Sequence, residues 1–221
     1  MPPERQPDPV IERARAYFEE FAADYDGAAL ESGWMPNELV AEAMGGIGSV
    51  RQATDLACGT GGTLAVLRRA FPDANLVGVD LSASMIELAR SRVPGVRWVH
   101  DDVARFVSTT DERFDLVTAI GGFEFTADVP GLLEGVRRLV RPGGHLVFTY
   151  EPEIVGWEAQ AAREETNLGS NGLELTTLRF EPGEIGTGFE GWELLRNRLV
   201  AAYVRDGLPT VYGWLHYRRP A

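Results

Sequence analysis

The chain has 221 residues, 44% of them hydrophobic, which is enough for one buried core and too little for two full catalytic domains. Its formal net charge of −12 repels nucleic acid, and the scattered arginine pairs form no basic patch that would override this field. One cysteine, Cys58, excludes an internal disulfide, and the sequence has neither a membrane-spanning run nor a secretory signal, so we expect a cytoplasmic protein without a membrane partner.

The amino-terminal part predicts a short lead-in followed by helices. Residues 1–9 are rich in proline and are expected to be disordered. Apolar side chains at three- and four-residue spacing predict one amphipathic helix over residues 10–25. A proline opens a second helix over residues 36–44, and a pair of glycines ends it. We expect residues 10–50 to form a helical cap.

Strand and helix signals then alternate along residues 51–150, which we predict to be a nucleotide-binding core. The predicted strands cover residues 53–57, 75–79, 96–99, 114–120 and 145–150, and the predicted helices cover residues 63–71, 84–92 and 130–140. Continuous apolar strands separated by helices indicate a parallel sheet that is covered on both faces.

The remainder of the chain departs from this alternation. Residues 151–190 are rich in glycine, show little periodicity and are predicted to cover the site. Residues 193–204 and 210–217 are strand-like and flank an Asp-Gly pair, which is a hairpin signal. We therefore expect the range 191–221 to add an antiparallel hairpin, with residues 10–221 forming one domain.

A glycine turn follows the first predicted strand, in the sequence Asp55-Leu-Ala-Cys-Gly-Thr-Gly61. Glycines let the backbone approach a ligand without a clash from a Cβ atom. A dinucleotide-binding fingerprint would have a third glycine where Leu64 stands. Taken alone, the segment is equally typical of an ordinary tight turn.

Acidic residues also follow the second and third predicted strands. Asp80, 19 residues after Gly61, can accept hydrogen bonds from both hydroxyls of a ribose. Either Asp101 or Asp102 can accept a hydrogen bond from an adenine amino group, and the backbone N–H of Val103 can serve a ring nitrogen. Each acid alone is compatible with a helix cap or a solvated loop. Their shared position at the carboxyl ends of consecutive strands predicts an adenosine-like nucleotide site.

Over about residues 10–217, these segments resemble the motifs of class I S-adenosylmethionine-dependent methyltransferases. The glycine turn resembles their first motif, with Ala57 in place of the first glycine. Asp80 aligns with their ribose-binding acid and Asp102 with their adenine-contacting motif. Residues 114–120 and the terminal hairpin are similar to their fourth strand and to their last two strands.

This resemblance implies an α/β fold, a Rossmann-like doubly wound sheet of seven strands with the last strand antiparallel. It also implies S-adenosylmethionine as the cofactor, with a Tyr-Asp motif at Tyr25 in the capping helices. The residues expected to bind the cofactor are Tyr25, Asp55, Ala57, Gly59, Gly61, Asp80, Leu81, Met85, Asp101, Asp102, Val103 and Ile120.

The acceptor side of the site is less well marked. Glu124 stands where many relatives have histidine, and it and Tyr25 are the candidate catalytic residues. A solvated loop carboxylate and a core aromatic are their competing interpretations. His216 could face either solvent or the substrate cover. Three scattered histidines and one cysteine make a metal site unexpected. Aromatic side chains expected to roof the acceptor are Tyr17, Trp34, Phe123, Phe125 and Trp157.

The predicted function is methyl transfer to a nitrogen or oxygen atom of a small molecule. All 21 basic residues are arginine, which is typical of a GC-rich bacterium. Composition and size together suggest an acceptor from bacterial secondary metabolism. The main alternative is a methyltransferase fold without methyl transfer, such as a cyclase, a decarboxylase or a binding protein. A protein methyltransferase also stays open, as does a homodimer. An NAD-dependent oxidoreductase is disfavoured by the missing third glycine and by the lack of a second domain.

Overall fold

The computed structural model describes residues 8–34, 36–126, 128–169, 171–181, 183–205 and 207–221. The helices are α1 (Pro9–Phe21), α2 (Tyr25–Ser32), α3 (Pro36–Met44), α4 (Gly62–Ala70), α5 (Ala83–Arg92), α6 (Val103–Thr109), α7 (Val129–Leu139) and α8 (Glu184–Gly188). The strands are β1 (Gln52–Leu56), β2 (Asn75–Asp80), β3 (Val96–His100), β4 (Phe114–Ala119), β5 (Val140–Tyr150), β6 (Glu164–Leu168), β7 (Glu174–Leu178), β8 (Glu193–Arg205) and β9 (Leu208–Arg218). None of these helices is long and apolar enough to cross a membrane.

Seven of the strands form one sheet in the order β3-β2-β1-β4-β5-β9-β8. Strands β1 to β5 are parallel, β9 runs antiparallel to β5, and β8 pairs antiparallel with β9. The predicted doubly wound seven-stranded sheet, with its last strand antiparallel, is confirmed. The strand order reverses between β1 and β4, and ligands of open α/β sheets bind in the crevice beyond such a point.

Each face of the sheet is covered by its own apolar core. One core contains side chains of β4, β5 and α7, among them the fully buried Val136 and Phe148. The other contains side chains of α3, α4 and β1, including Val40 and Leu64. These cores fix the positions of the strand ends that carry the predicted nucleotide site.

The amino-terminal helices differ from the prediction. The single helix expected over residues 10–25 is two helices, because α1 ends at Phe21 and α2 begins at Tyr25. No side chain of helix α2 is fully buried, and its sequence carries no apolar periodicity that would predict a separate helix. Asp8 caps α1 by accepting a hydrogen bond from the N–H of Val10 at 2.9 Å. The rest of the predicted lead-in, residues 1–7, lies outside the described residues.

Helices α5 and α6 also depart from the sequence interpretation. Helix α5 begins at Ala83 because Ser82, rather than Ser84, caps it by accepting a hydrogen bond from the N–H of Met85 at 3.1 Å. Helix α6 was not predicted, and Asp102 caps it through the N–H of Arg105 at 2.7 Å.

Residues 151–190, predicted only as a cover, contain the antiparallel hairpin β6–β7. Arg179, which follows β7, ties this hairpin to the end of β5. Its side chain is 1% exposed and donates hydrogen bonds to Glu151 at 2.7 Å and to the carbonyls of Ala159 and Ala162 at 3.0 and 2.7 Å. It also pairs with Glu165 of β6. The division of the chain into cap, core, cover and hairpin stays a prediction.

Candidate functional site

A cleft opens beyond the carboxyl ends of β1, β2 and β4. We call it the nucleotide cleft. Of the predicted cofactor residues, those that line it are Tyr25, Ala57, Gly59, Asp80, Leu81, Met85, Asp102 and Val103. Four others do not line it: Asp55, Gly61, Asp101 and Ile120. Ile120 borders an adjoining depression that also includes Tyr25 and Gly59.

The turn after β1 contains a strained residue. Ala57 has a φ of 55°, and it is the one non-glycine residue with positive φ in the described part of the chain. The left-handed region costs an L-residue about 1–2 kcal/mol. A Cβ atom on Gly122 would lie 2.3 Å from the Cβ of Ala57, so the alanine is accommodated because the facing position is glycine.

Replacing Ala57 by glycine is expected to leave the chain as stable as before or to stabilise it by up to about 1 kcal/mol, because relief of the strained φ exceeds the entropy that glycine loses on folding. Urea unfolding measures the change. Ala53→Gly, in the buried part of β1, is the matched control and should destabilise by at least about 0.5 kcal/mol. Equal losses in both variants would contradict strain at Ala57.

Asp80 lies at the centre of the nucleotide cleft with 5% exposure. Its carboxylate accepts hydrogen bonds from the backbone N–H of Gly59 at 2.7 Å and of Ser82 at 2.9 Å. Burial raises the pKa of Asp80, and these two hydrogen bonds act in the opposite direction. The backbone N–H of Leu81 also lowers the pKa. A carboxylate has about four lone-pair sites, so these three groups leave acceptor capacity for a ligand hydroxyl.

Asp55 lies beneath the cleft rather than on its wall. It accepts a hydrogen bond from the Thr118 hydroxyl at 2.6 Å, across the β1–β4 pair. Burial raises the pKa of Asp55 to about 8, the Thr118 hydrogen bond lowers it, and nearby Asp80 adds to the rise. These contacts indicate that Asp55 joins β1 to β4, the two strands whose ends form the site.

Asparagine at position 55 is expected to remove a decline in stability between about pH 4 and 8. In that window the folded chain holds a proton on Asp55 that the unfolded chain has lost, so stability falls as pH rises, by up to about 1.4 kcal/mol per pH unit. Denaturant titrations at pH 5 and pH 8 should show a smaller decline in Asp55→Asn than in the wild type or in the exposed Asp73→Asn control. Parallel declines would show that Asp55 is ionised in the folded chain.

The predicted adenine end of the cleft is formed by α6. Asp102 and Val103 line the cleft, whereas Asp101 is turned toward Arg105 at 3.1 Å. His100 lies beside them and bonds the carbonyl oxygen of Leu81 through Nε2 at 3.0 Å. The adenine contact predicted for this loop therefore rests on Asp102 and Val103.

Helix α1 is fastened over the ribose end of the cleft by Glu19. The Glu19 carboxylate accepts hydrogen bonds from the hydroxyls of Ser82 and Ser84 at 2.8 and 2.7 Å. Burial alone would raise the pKa of Glu19, but these hydrogen bonds outweigh it and the pKa is lowered. Phe18 on the same helix packs edge-on against Phe125, with ring centroids 5.2 Å apart.

A second cavity, which we call the aromatic cavity, adjoins the nucleotide cleft. Both share Phe18, Tyr25, Gly121 and Phe125. The aromatic residues that line this cavity are Tyr17, Phe18, Phe21, Tyr25, Trp34, Phe125, Tyr203 and Tyr212. Glu124 also lines it and accepts a hydrogen bond from the hydroxyl of Tyr212 at 2.5 Å. Glu124 is only 1% exposed, so the interpretation as a solvated loop carboxylate is wrong.

The phenols around Glu124 stay protonated at neutral pH. Burial raises the pKa of Tyr25, and the Glu124 and Asp80 carboxylates add to that rise. Burial followed by Glu124 likewise raises the pKa of Tyr212. Both phenols therefore keep their protons, and that of Tyr212 is donated to Glu124.

Three of the five aromatic residues predicted to roof the acceptor line the aromatic cavity, namely Tyr17, Trp34 and Phe125. Phe123 lies in the core instead, and Trp157 lies near the surface, where its indole N–H donates to the carbonyl of Pro209 at 3.1 Å. Sequence interpretation missed Tyr203 and Tyr212. The signal that could have identified them is the two-residue alternation of side chains along the predicted strands, which gives all side chains of one face, such as Tyr212 and Trp214, the same orientation.

The histidines and the cysteine lie outside the aromatic cavity. His216 is buried and its Nε2 is 2.9 Å from Nδ1 of His145, so it faces neither solvent nor the cover. Burial raises the pKa of the Cys58 thiol, as expected for an inert apolar residue. Within the described ranges, no group of three His, Cys, Asp or Glu side chains could hold a metal ion.

Residues 53–144 match the model of a family described as "Methyltransferase domain". The match runs from β1 into β5 and so includes the strand ends and turns of the nucleotide cleft. A trans-aconitate 2-methyltransferase from Acidovorax sp. (strain JS42) is 36% identical over 114 residues, which are 52% of this chain and 43% of that protein.

A phthiotriol/phenolphthiotriol dimycocerosates methyltransferase from Mycobacterium tuberculosis (strain ATCC 25177 / H37Ra) is 33% identical over 161 residues, covering 70% of this chain and 58% of that protein. The chain thus spans about half the length of the curated relatives it matches. The crystal structure of magnesium protoporphyrin IX methyltransferase from Synechocystis PCC 6803 with bound SAM superposes with a TM-score of 0.67 at 13% identity, covering 98% of this chain and 100% of that one. This last likeness shows the fold.

Proposed function

We propose that the chain is a class I S-adenosylmethionine-dependent methyltransferase and that it transfers a methyl group from S-adenosylmethionine to a nitrogen or oxygen atom of a small molecule. The match of residues 53–144 to the family model described as "Methyltransferase domain" supports this proposal. The observation that carries this proposal is the junction of two cavities. The nucleotide cleft and the aromatic cavity share Phe18, Tyr25, Gly121 and Phe125. A cofactor in the first and an acceptor in the second would meet at these residues.

The cleft residues fit the adenosine part of the cofactor. A Cβ atom added at Gly59 would meet no atom within 4 Å, so the glycine leaves open space against the cleft wall. Asp80 would accept hydrogen bonds from the ribose hydroxyls, and Asp102 from the adenine amino group. Leu81 and Met85 would supply apolar contact beside the ribose and the base, since both line the cleft.

When bound, S-adenosylmethionine supplies a methyl group on a positively charged sulfur, and the acceptor bonds to that methyl while the carbon–sulfur bond breaks and leaves its electron pair on sulfur. The chain's contribution is to align the acceptor, to exclude water and to take up the proton that the acceptor loses. Tyr25 would orient the methionine end of the cofactor. Glu124, which accepts a hydrogen bond from the Tyr212 hydroxyl, would receive the proton.

The acceptors named for the relatives are not assigned to this chain, because it spans only part of each relative's length. The cytoplasmic location and the absence of nucleic-acid and membrane partners stay predictions, as does the possibility of a homodimer. A methyltransferase fold that has lost methyl transfer would keep the cleft and bind the cofactor without consuming it.

Isothermal titration with S-adenosylmethionine, S-adenosylhomocysteine and NAD tests the proposal. We expect both sulfur compounds to bind with dissociation constants in the micromolar range and NAD not to bind. Binding of NAD alone, or of none of the three, would exclude the methyltransferase function. Incubation with methyl-labelled cofactor and a panel of small acceptors then separates an active enzyme from a binding protein, because only the enzyme transfers the label.

A further inference from the structure

We infer that the methyl acceptor is a molecule with a planar aromatic ring system, which binds between two groups of rings in the aromatic cavity. This inference rests on the proposed function and names the substrate class of the same site. The cavity holds about 600 Å³, and pockets of about 300–1,000 Å³ are typical of drug-sized ligands. An acceptor of two fused rings therefore has room in it.

The first group of rings lies on the capping helices and on the segment after β4. Tyr17 and Phe21 of α1 pack together with ring centroids 5.3 Å apart, and Phe21 packs edge-on against Tyr25 at 6.3 Å. Phe18 extends the group to Phe125 at 5.2 Å. All five side chains line the cavity, and none of the five is fully buried. Apolar ring surface that is open to the cavity is stabilised when a ligand covers it.

A second group of rings connects the end of the capping helices to the sheet. Trp34, which follows α2, packs against Tyr212 of β9 with ring centroids 5.0 Å apart, and both line the same cavity. Among the described residues, the ring contacts of this pair do not extend to the rings of α1 or to Tyr25. The cavity thus separates the two groups, and a ligand ring placed in it could contact both.

This arrangement favours an aromatic skeleton over a saturated one. Aromatic pairs in offset or edge-to-face geometry are stabilised beyond the area that they bury, because the edge of one ring is attracted to the face of the other. A saturated ring buries apolar area but has no such quadrupole. Ala28, Ala29 and Gly121 also line the cavity, and their small side chains leave room beside the rings for a planar molecule.

The turn of the hairpin β6–β7 holds Tyr17 in the cavity wall. A Cβ atom on Gly169 would lie 2.2 Å from Cε2 of Tyr17, so the glycine lets the turn pack directly against the ring. Asn171 donates a hydrogen bond to the carbonyl oxygen of Tyr17 at 3.3 Å, and Arg13 of α1 donates to the Thr176 hydroxyl at 3.0 Å. Holding this ring in place lowers the entropy that ligand binding would otherwise cost.

The residues shared with the nucleotide cleft give the acceptor its direction. The nitrogen or oxygen that receives the methyl group must lie where the two cavities meet, beside Tyr25 and Gly121. Tyr17 and Phe21 line the aromatic cavity but not the cleft. The ring system would therefore extend from the junction toward Tyr17 and Phe21, with its reactive atom at the edge that faces the cofactor.

A matched pair of alcohols tests the inference by binding alone. We would titrate 2-naphthol and its saturated analogue decahydro-2-naphthol calorimetrically, with and without S-adenosylhomocysteine. Transfer from water does not favour 2-naphthol, because the saturated compound has the larger apolar surface. We expect 2-naphthol to bind at least about 5-fold more tightly, since contacts with both groups of rings add to the burial of apolar area.

Phe21→Leu separates ring contact from general packing. It should reduce 2-naphthol affinity by at least about 3-fold and change the affinity for the saturated compound by less than about 2-fold. A merely structural defect would weaken both compounds equally. Trp157→Leu is the control variant and should change neither affinity, since Trp157 is 43% exposed and does not line the cavity.

Equal affinities of the two compounds, tighter binding of the saturated one, or no saturable binding of 2-naphthol would overturn the assignment. The wild-type comparison decides this even if Phe21→Leu fails to fold. The two proposals fail separately. Loss of S-adenosylhomocysteine binding with a retained preference for 2-naphthol would remove the proposed function and leave a site for aromatic ligands. Binding of S-adenosylhomocysteine without that preference would remove only the aromatic acceptor.

Discussion

Asparagine in place of Asp80 is expected to weaken S-adenosylmethionine binding by about 100-fold, because each hydrogen bond to a charged acceptor contributes roughly 1.5–3 kcal/mol and two ribose hydroxyls would be affected. The carboxylate also supports the turn through the N–H groups of Gly59 and Ser82. Asparagine retains the size of the side chain but has one acceptor oxygen in place of two. Isothermal titration measures the change, and far-UV circular dichroism verifies the fold.

Asp73→Asn provides the matched control, since Asp73 is exposed ahead of β2 and lines none of the described cavities. Its cofactor affinity should equal that of the wild type. A loss below about 3-fold in Asp80→Asn, less than one ordinary hydrogen bond, would mean that the ribose lies elsewhere.

The second large effect is expected at Arg179, where substitution by methionine should lower the free energy of unfolding by about 3–5 kcal/mol, because Glu151, 1% exposed, would lose its guanidinium partner and stay buried. The guanidinium is 1% exposed and joins Glu151 after β5 to Glu165 of β6. A loss of this size corresponds to a fall in Tm of roughly 10 °C for a domain of this length. Thermal and urea unfolding both measure it.

Arg163→Met is the control for Arg179. Arg163 makes two hydrogen bonds to Glu184 at 2.9 and 3.0 Å, but its side chain is 38% exposed, so its removal should cost less than about 1 kcal/mol. The double variant Arg179→Met/Glu151→Leu should recover part of the stability, since it removes the buried carboxylate as well as its guanidinium partner. If Arg179→Met loses no more stability than Arg163→Met, the buried network does not hold the hairpin to the sheet.

The sheet and the carboxyl ends of its first three strands were predictable, because these strands run into a glycine turn or an acidic residue. Asp80 and Asp102 were identified from their spacing, and both line the cleft. Helix α2 and the hairpin β6–β7 were not predictable in this way. They bury few apolar side chains, and strand β6 is half-buried at most. What holds β6–β7 in place is polar, and a buried arginine such as Arg179 resembles a surface arginine in the sequence.

In the site, too, residues marked by their neighbours in sequence were predictable, whereas contacts between residues far apart in the chain were not. Glu124 was a candidate because of its position after β4, but its partner Tyr212 lies 88 residues further along the chain. A contact of that separation depends on the insertion of β9 beside β5, which the sequence signals only as a terminal hairpin. Asp101 does not line the cleft, and its carboxylate pairs with Arg105 one helical turn ahead at 3.1 Å. Its predicted role in cofactor binding stays a prediction.

The side chains shared by the nucleotide cleft and the aromatic cavity have a thermodynamic consequence. A ligand in one cavity orders the side chains of Phe18, Tyr25 and Phe125, which also line the other cavity. These side chains have then already lost their conformational entropy, so a second ligand binds without that cost. Occupancy of either cavity should therefore tighten binding in the other. Linkage requires the two enhancements to be the same factor, so a nucleoside that increases the affinity of the aromatic cavity for its ligand must itself bind more tightly, by an equal ratio, when that ligand is present.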